Sequence, residues 1–165
     1  MALLLSLAPE NFTNAANVGF PQYLASRAGG SRRSAWAFDP TVSERMRSYS
    51  FSMPPFTGAL TLTVVFDIAA TTGDVVFRAQ VEAVTPSDAI NMSSTDSFAA
   101  VNSSGAVSVP VATFNPKLFA IALTNNDSIA ALDTVIITLD RDATNGSDTA
   151  VGDCFITQVY LSDAS

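Results

Sequence analysis

Alternation of apolar and polar residues dominates the middle of the chain. In residues 59–84, ALTLTVVFDIAATTGDVVFRAQVEAV, Leu60, Leu62, Val64, Phe66 and Ile68 share one face while Thr61, Thr63 and Asp67 share the other. Beyond a short polar link, Val75, Phe77, Ala79, Val81 and Ala83 oppose Arg78, Gln80 and Glu82. A period of two is that of a half-buried strand; a helix would mix these faces. The link at 69–74, with Gly73 and two threonines, predicts a hairpin whose arms pair antiparallel.

The same period recurs on both sides of this centre. Residues 34–38 form a short run, and in 45–53 Tyr49, Phe51 and Met53 alternate with Ser48, Ser50 and Ser52. Residues 106–113, 118–124, 134–140 and 154–161 complete the set, with Phe119, Ile121 and Leu123 on one face of the second and Val135, Ile137 and Leu139 on one face of the third. About eight strands divided by turn residues predict an all-β fold, an antiparallel β-sandwich of jelly-roll type. Its expected core is Leu60, Leu62, Val64, Phe66, Phe77, Val81, Ile121, Leu123, Val135 and Ile137. The long polar stretch 85–105 reads as a crossover between sheets or as an exposed functional loop.

Residues 1–34 lack a sustained period and are broken by Asn, Gly and Pro, so they predict an extended N-terminal arm ahead of a sandwich domain at 35–165. The arm is too apolar for a free tail. Leu3, Leu5, Phe12 and Phe20 are therefore expected to pack on the body, on a neighbouring subunit or on a larger shell. The opening MALLLSLAPEN has no basic flank and only a short apolar run, so it reads as mature sequence. No apolar run reaches the roughly twenty residues of a membrane helix.

Charge divides the chain in the same place. Residues 1–50 hold five arginines against three carboxylates, whereas the remainder holds three cations against twelve; the net formal charge is −7. An acidic body argues against nucleic acid or an anionic membrane as its partner. Arg32 and Arg33 in the basic arm are candidates for an interface with acidic groups. The chain has no His and one Cys, which excludes an intrachain disulfide, Cys/His zinc sites and His-dependent acid–base catalysis. Cys154, within the strand-like CFITQVYL, reads as a small buried apolar residue. No nucleophile–base pair or phosphate-binding glycine loop is legible, so the expectation is a non-enzyme without a cofactor.

One loop, DRDATNGSD, concentrates oxygen ligands. Asp140, Asp142, Asn145, Ser147 and Asp148 form a set of the type Ca²⁺ takes, although the spacing lacks the closing Glu of an EF-hand and such loops commonly only turn the chain. Asp140, Asp142, Asn145 and Asp148 are a candidate metal set on this ground, and Arg141 between them is expected to make a local ion pair that fixes the loop.

Several phrases in order, FDPT with Glu44 close behind, MPPFTGALTL, TTGDVVFRAQVEAV and ITLDRDATNGSDTAVGDCFITQVYL, resemble a group of small bacteriophage virion proteins over roughly residues 35–161. In that group a jelly-roll domain serves as a head-decoration (cement) protein or as the knob of a tail fibre or needle. The resemblance implies a homotrimer at the capsid surface that binds and stabilises the head shell, with the major capsid protein as partner. Its alternative is a tail knob that binds a host receptor or glycan through residues 86–105. With no heptads or repeat-built shaft in the chain, decoration is the expected role.

Overall fold

The computed structural model describes residues 1–15, 19–25, 33–92 and 96–164. Its strands are β1 (Ala2–Leu7), β2 (Phe12–Asn14), β3 (Gln22–Leu24), β4 (Ala35–Phe38), β5 (Glu44–Ser48), β6 (Phe51–Ser52), β7 (Thr61–Ile68), β8 (Asp74–Val84), β9 (Asn102–Ser108), β10 (Lys117–Ala122), β11 (Thr134–Arg141) and β12 (Cys154–Asp163), with one 3₁₀ turn at Pro9–Asn11. They form two antiparallel sheets, one in the order β10-β7-β12-β4-β3 with β1 also on β12, the other in the order β2-β5-β11-β8-β9 with β6 also on β11. The fold is a jelly-roll β-sandwich, as the alternation predicted.

All ten expected core residues lie between the sheets, each no more than 3% exposed. At the centre four phenylalanines meet: Phe77 stacks on Phe119 at 4.9 Å, Phe38 meets Phe77 edge-on at 5.9 Å, and Phe66 meets Phe119 at 5.6 Å. Offset and edge contacts of this kind match the positive rim of one ring to the negative face of another. Cys154 is fully buried, and burial pushes its thiol well above the usual range.

The predicted central hairpin does not pair. β7 hydrogen-bonds to β10 and β12, whereas β8 hydrogen-bonds to β11 and β9. The link at 69–73 instead steps from one sheet to the other, so the apolar faces of its two arms look at each other across the core, with Phe66 and Phe77 6.4 Å apart. Alternation alone is identical for paired strands and for strands that face each other. Gly73 makes the step possible: its φ is +92°, and a Cβ there would lie 2.9 Å from the backbone of Ala150. The polar stretch after β8 is likewise no crossover, because β8 and β9 are neighbours in one sheet.

Nor does the amino-terminal segment stand apart as an arm on a neighbour or shell. β1 pairs with β12 from Ala2↔Asp163 to Leu7↔Val159, β2 pairs with β5, and β3 pairs with β4. Phe12 is in the core and Leu5 packs against it, while Leu3 and Phe20 stay exposed. Three- to six-residue strands are too short to leave a legible period, which is why this segment read as irregular.

Candidate functional site

At one flank the two sheets end in short edge strands, β2 on one and β3 on the other, and a groove of about 300 Å³ opens between them. Glu10, Phe12, Thr13, Asn14, Tyr23, Trp36 and Tyr49 line it. Tyr23 stands directly opposite Trp36 in the β3–β4 ladder, with ring centroids 5.3 Å apart. Trp36 is almost buried, and its indole Nε1 donates to the Pro9 carbonyl at 2.8 Å, which ties the 3₁₀ turn to β4. Tyr49 follows the last residue of β5; its backbone N–H donates to the Asn11 carbonyl at 2.8 Å and the residue is 62% exposed.

Glu10 sits at the groove's rim. The Tyr23 hydroxyl donates to its Oε1 at 3.0 Å, and hydrogen bonds from Ser34, the turn backbone and Tyr23 hold the carboxyl below its ordinary range. It is therefore an ionised acceptor at neutral pH, fixed by neighbours rather than free to swing. The groove thus combines aromatic faces at fixed positions with a carboxylate, an amide (Asn14) and a hydroxyl (Thr13). It is a surface suited to a flat molecule with apolar faces and a polar rim.

The sequence-predicted sites fare differently. Leu3, Leu5, Phe12 and Phe20 do not form one patch: Leu5 and Phe12 are used within the chain's own sandwich, whereas Leu3 and Phe20 point to solvent at separate places. Arg33 is exposed near this groove, and Arg32 lies outside the described residues.

The oxygen-rich loop does not assemble as a metal site. Asp140 takes Arg78 through Nε at 2.8 Å and lies 3.5 Å from Arg45 Nε, Asp142 pairs with Arg78 at 3.2 Å, and Asp148 takes both Nε and Nη2 of Arg141 at 3.0 and 2.7 Å. Asn145 donates to Asp142. Among the described residues no group of three or more acidic or thiol ligands converges.

Arg141 makes the expected local ion pair, with Asp148, and makes it as an internal clamp. It is fully buried, and besides Asp148 it donates to the carbonyls of Ala150 and Gly152 at 2.8 and 2.9 Å. Burial also pushes the Asp140 carboxyl up, against the opposing pull of Arg45 and Arg78.

The groove's residues were visible in the sequence but not as a set. Tyr49 seemed to share a strand face with Phe51 and Met53; the strand in fact breaks after Ser48, and Tyr49 turns out to solvent. Trp36 belongs to the core cluster at 5% exposure, and nothing in its sequence setting marks it as lining an opening. The three aromatics at positions 23, 36 and 49 stand thirteen residues apart, a spacing that belongs to neither a helix face nor a strand face and so gives no signal in the sequence.

No protein-family model matches the chain, and no curated protein matches it in sequence. Solved structures do match. The CBM22-1-GH10 modules of xylanase 10B from Clostridium thermocellum, complexed with xylohexaose, align at 9% identity and TM-score 0.51 over 99% of this chain and 29% of that one, so this chain spans under a third of that protein's length. A CBM22-1 xylan-binding domain from Paenibacillus barcinonensis aligns at 11% identity and TM-score 0.47 over 99% and 97%. A family 11 carbohydrate-binding module from Clostridium thermocellum, in complex with a mixed-linked tetrasaccharide, aligns at 8% identity and TM-score 0.46 over 96% and 88%.

The likeness at this identity is one of fold. The expectation of a phage capsid decoration protein is corrected on this ground: the jelly roll that aligns with this chain at TM-score 0.51 belongs to the CBM22-1-GH10 modules of a xylanase and not to a virion. The phrases that suggested a virion protein are strand-and-turn patterns of the sandwich itself, common to jelly rolls of unrelated use.

Proposed function

We propose that the chain is a non-catalytic glycan-binding module and that the groove between β2 and β3 is its binding site. The observation that carries this reading is the grouping of Tyr23, Trp36 and Tyr49 with Glu10, Thr13 and Asn14 around one opening. A pyranose ring has apolar C–H faces and an equatorial rim of hydroxyls. The faces are desolvated favourably on aromatic rings, and the hydroxyls need donors and acceptors at the edge. The exposed Tyr49 ring supplies the face; Glu10 and Asn14 supply the rim. Glu10 is the one carboxylate among the described residues lining the groove, whereas glycoside hydrolysis ordinarily takes a pair of them, which favours binding over cleavage. The sugar-binding names of the solved structures with this fold agree with the reading.

Calorimetric titration with xylo-, cello- and manno-oligosaccharides tests it. Binding is expected, and Tyr49→Ala, which removes an exposed ring at no cost to the core, is expected to weaken it roughly tenfold, the equivalent of about 1.4 kcal/mol. Absence of binding to all three series, or binding indifferent to Tyr49→Ala and Tyr23→Ala, would overturn the assignment.

A further inference from the structure

A second opening adjoins the groove. It measures about 470 Å³ and is lined by Ala8, Pro9, Glu10, Arg33, Ser34, Thr157, Gln158 and Tyr160. Glu10 belongs to both openings, and its carboxyl is hydrogen-bonded to Tyr23 of the first and Ser34 of the second. We infer that the two openings act as one trough that holds a linear, uncharged oligosaccharide of several sugar units lying across Glu10, with one end on Tyr23 and Tyr49 and the other on Tyr160 and Gln158. This inference rests on the glycan-binding reading above.

Three features point this way. First, the aromatic groove alone is at the lower limit of ligand pockets, roughly 300–1,000 Å³, and the two halves together are well inside it. Second, the far half repeats the chemistry of the near one on a rigid strand. Tyr160 and Gln158 lie on β12, where Tyr160 sits opposite Ser6 of β1 and Thr63 of β7 in the ladders, and Gln158 Nε2 donates to Ser6 Oγ at 2.8 Å. A bulge in β12 between Ile156 and Gln158 shifts the strand's alternation, so that Gln158 and Tyr160 are both half-exposed on the outer side. Third, the midpoint is an ionised carboxylate on a chain of net charge −7. It can accept hydrogen bonds from neighbouring hydroxyls, and it repels a polyanionic chain that would have to pass directly over it.

A length series separates this inference from the glycan reading itself. With the same oligosaccharides from one to six units, the dissociation constant should fall by roughly tenfold between two and four units and then level off. Tyr160→Ala and, separately, Gln158→Ala should return the four-unit affinity toward the two-unit value and leave the two-unit affinity unchanged. Tyr49→Ala should weaken every length. Affinity that is flat with length, yet still sensitive to Tyr49→Ala, would overturn the trough and keep the groove; so would a four-unit affinity indifferent to both β12 variants, each shown folded by its circular dichroism. Tighter binding of oligogalacturonides than of neutral chains of equal length would overturn the uncharged ligand. No binding in any series would remove the glycan reading and this inference together.

Discussion

Arg141 shows how far a side chain's role can depart from its neighbourhood in sequence. Flanked by Asp140 and Asp142, it reads as a residue in a local ion pair that fixes the loop; it makes that pair with Asp148, but β11 turns it inward, and there it also meets two nearby carbonyls in a site without solvent. Breaking a buried pair by removing one partner leaves an uncompensated charge. Asp148→Asn or Arg141→Met is therefore expected to lower stability by about 3–5 kcal/mol in urea denaturation, whereas an exposed pair would cost under about 1 kcal/mol. The two aspartates at 39 and 140 predict opposite responses to acid. Hydrogen bonds from the Thr41 hydroxyl, the Thr41 backbone and the Val42 backbone hold Asp39 below the usual aspartate value, so its contribution is present above that value and is lost as pH falls through the depressed one. Burial raises Asp140, so its ionisation costs stability as pH climbs from the usual aspartate value through the raised one, and protonation there favours the fold. In a pH series of unfolding midpoints, Asp39→Asn should flatten the acid limb; a limb of unchanged slope would contradict this.

At the level of strands, what the sequence shows and what it hides are separated by length. β7, β8, β11 and β12 are eight residues or longer, enough for the period of two to stand out; the inward faces of β7, β8 and β11 are legible, whereas in β12 the bulge between Ile156 and Gln158 breaks the period. β2 and β3 have three residues each; no period can be read from three residues, and the candidate groove lies between them. Pairing was hidden for a different reason, since Phe66 and Phe77 alternate identically whether their strands are hydrogen-bonded or stacked across a core. The merging of residues 1–34 into both sheets reverses what truncation should do. Removing β1 takes away the buried Leu7 and the half-buried Leu4 and Leu5 and exposes the core surface they cover, at about 1.5–3 kcal/mol for the fully buried side chain and less for the others. Deleting residues 1–7 should therefore lower the melting temperature by roughly 10 °C, and deleting 1–34 should unfold the sandwich rather than release it. A 35–165 fragment that melts like the full chain would refute this.

For the molecule as a whole, the class of fold followed from alternation, while the use of the fold did not, because strand-and-turn patterns are shared by jelly rolls with unrelated roles. The proposed function makes one prediction that belongs to the entire domain. A glycan that binds only the folded form should, at about a hundred times its dissociation constant, stabilise it by roughly 2.7 kcal/mol and raise its melting temperature by about 5–10 °C, a shift that Tyr49→Ala should largely abolish. One further property follows from the ladder between β1 and β12. Ala2 lies beside Asp163, with the ladder running away from them toward Leu7 and Val159, so the two ends of the domain leave from the same corner. A tensile load applied there would reach the hydrogen bonds in succession, opening them as a zipper opens, instead of straining them all at once in shear. Pulled by its ends between a surface and a cantilever, the domain should peel apart at low force despite its dense core.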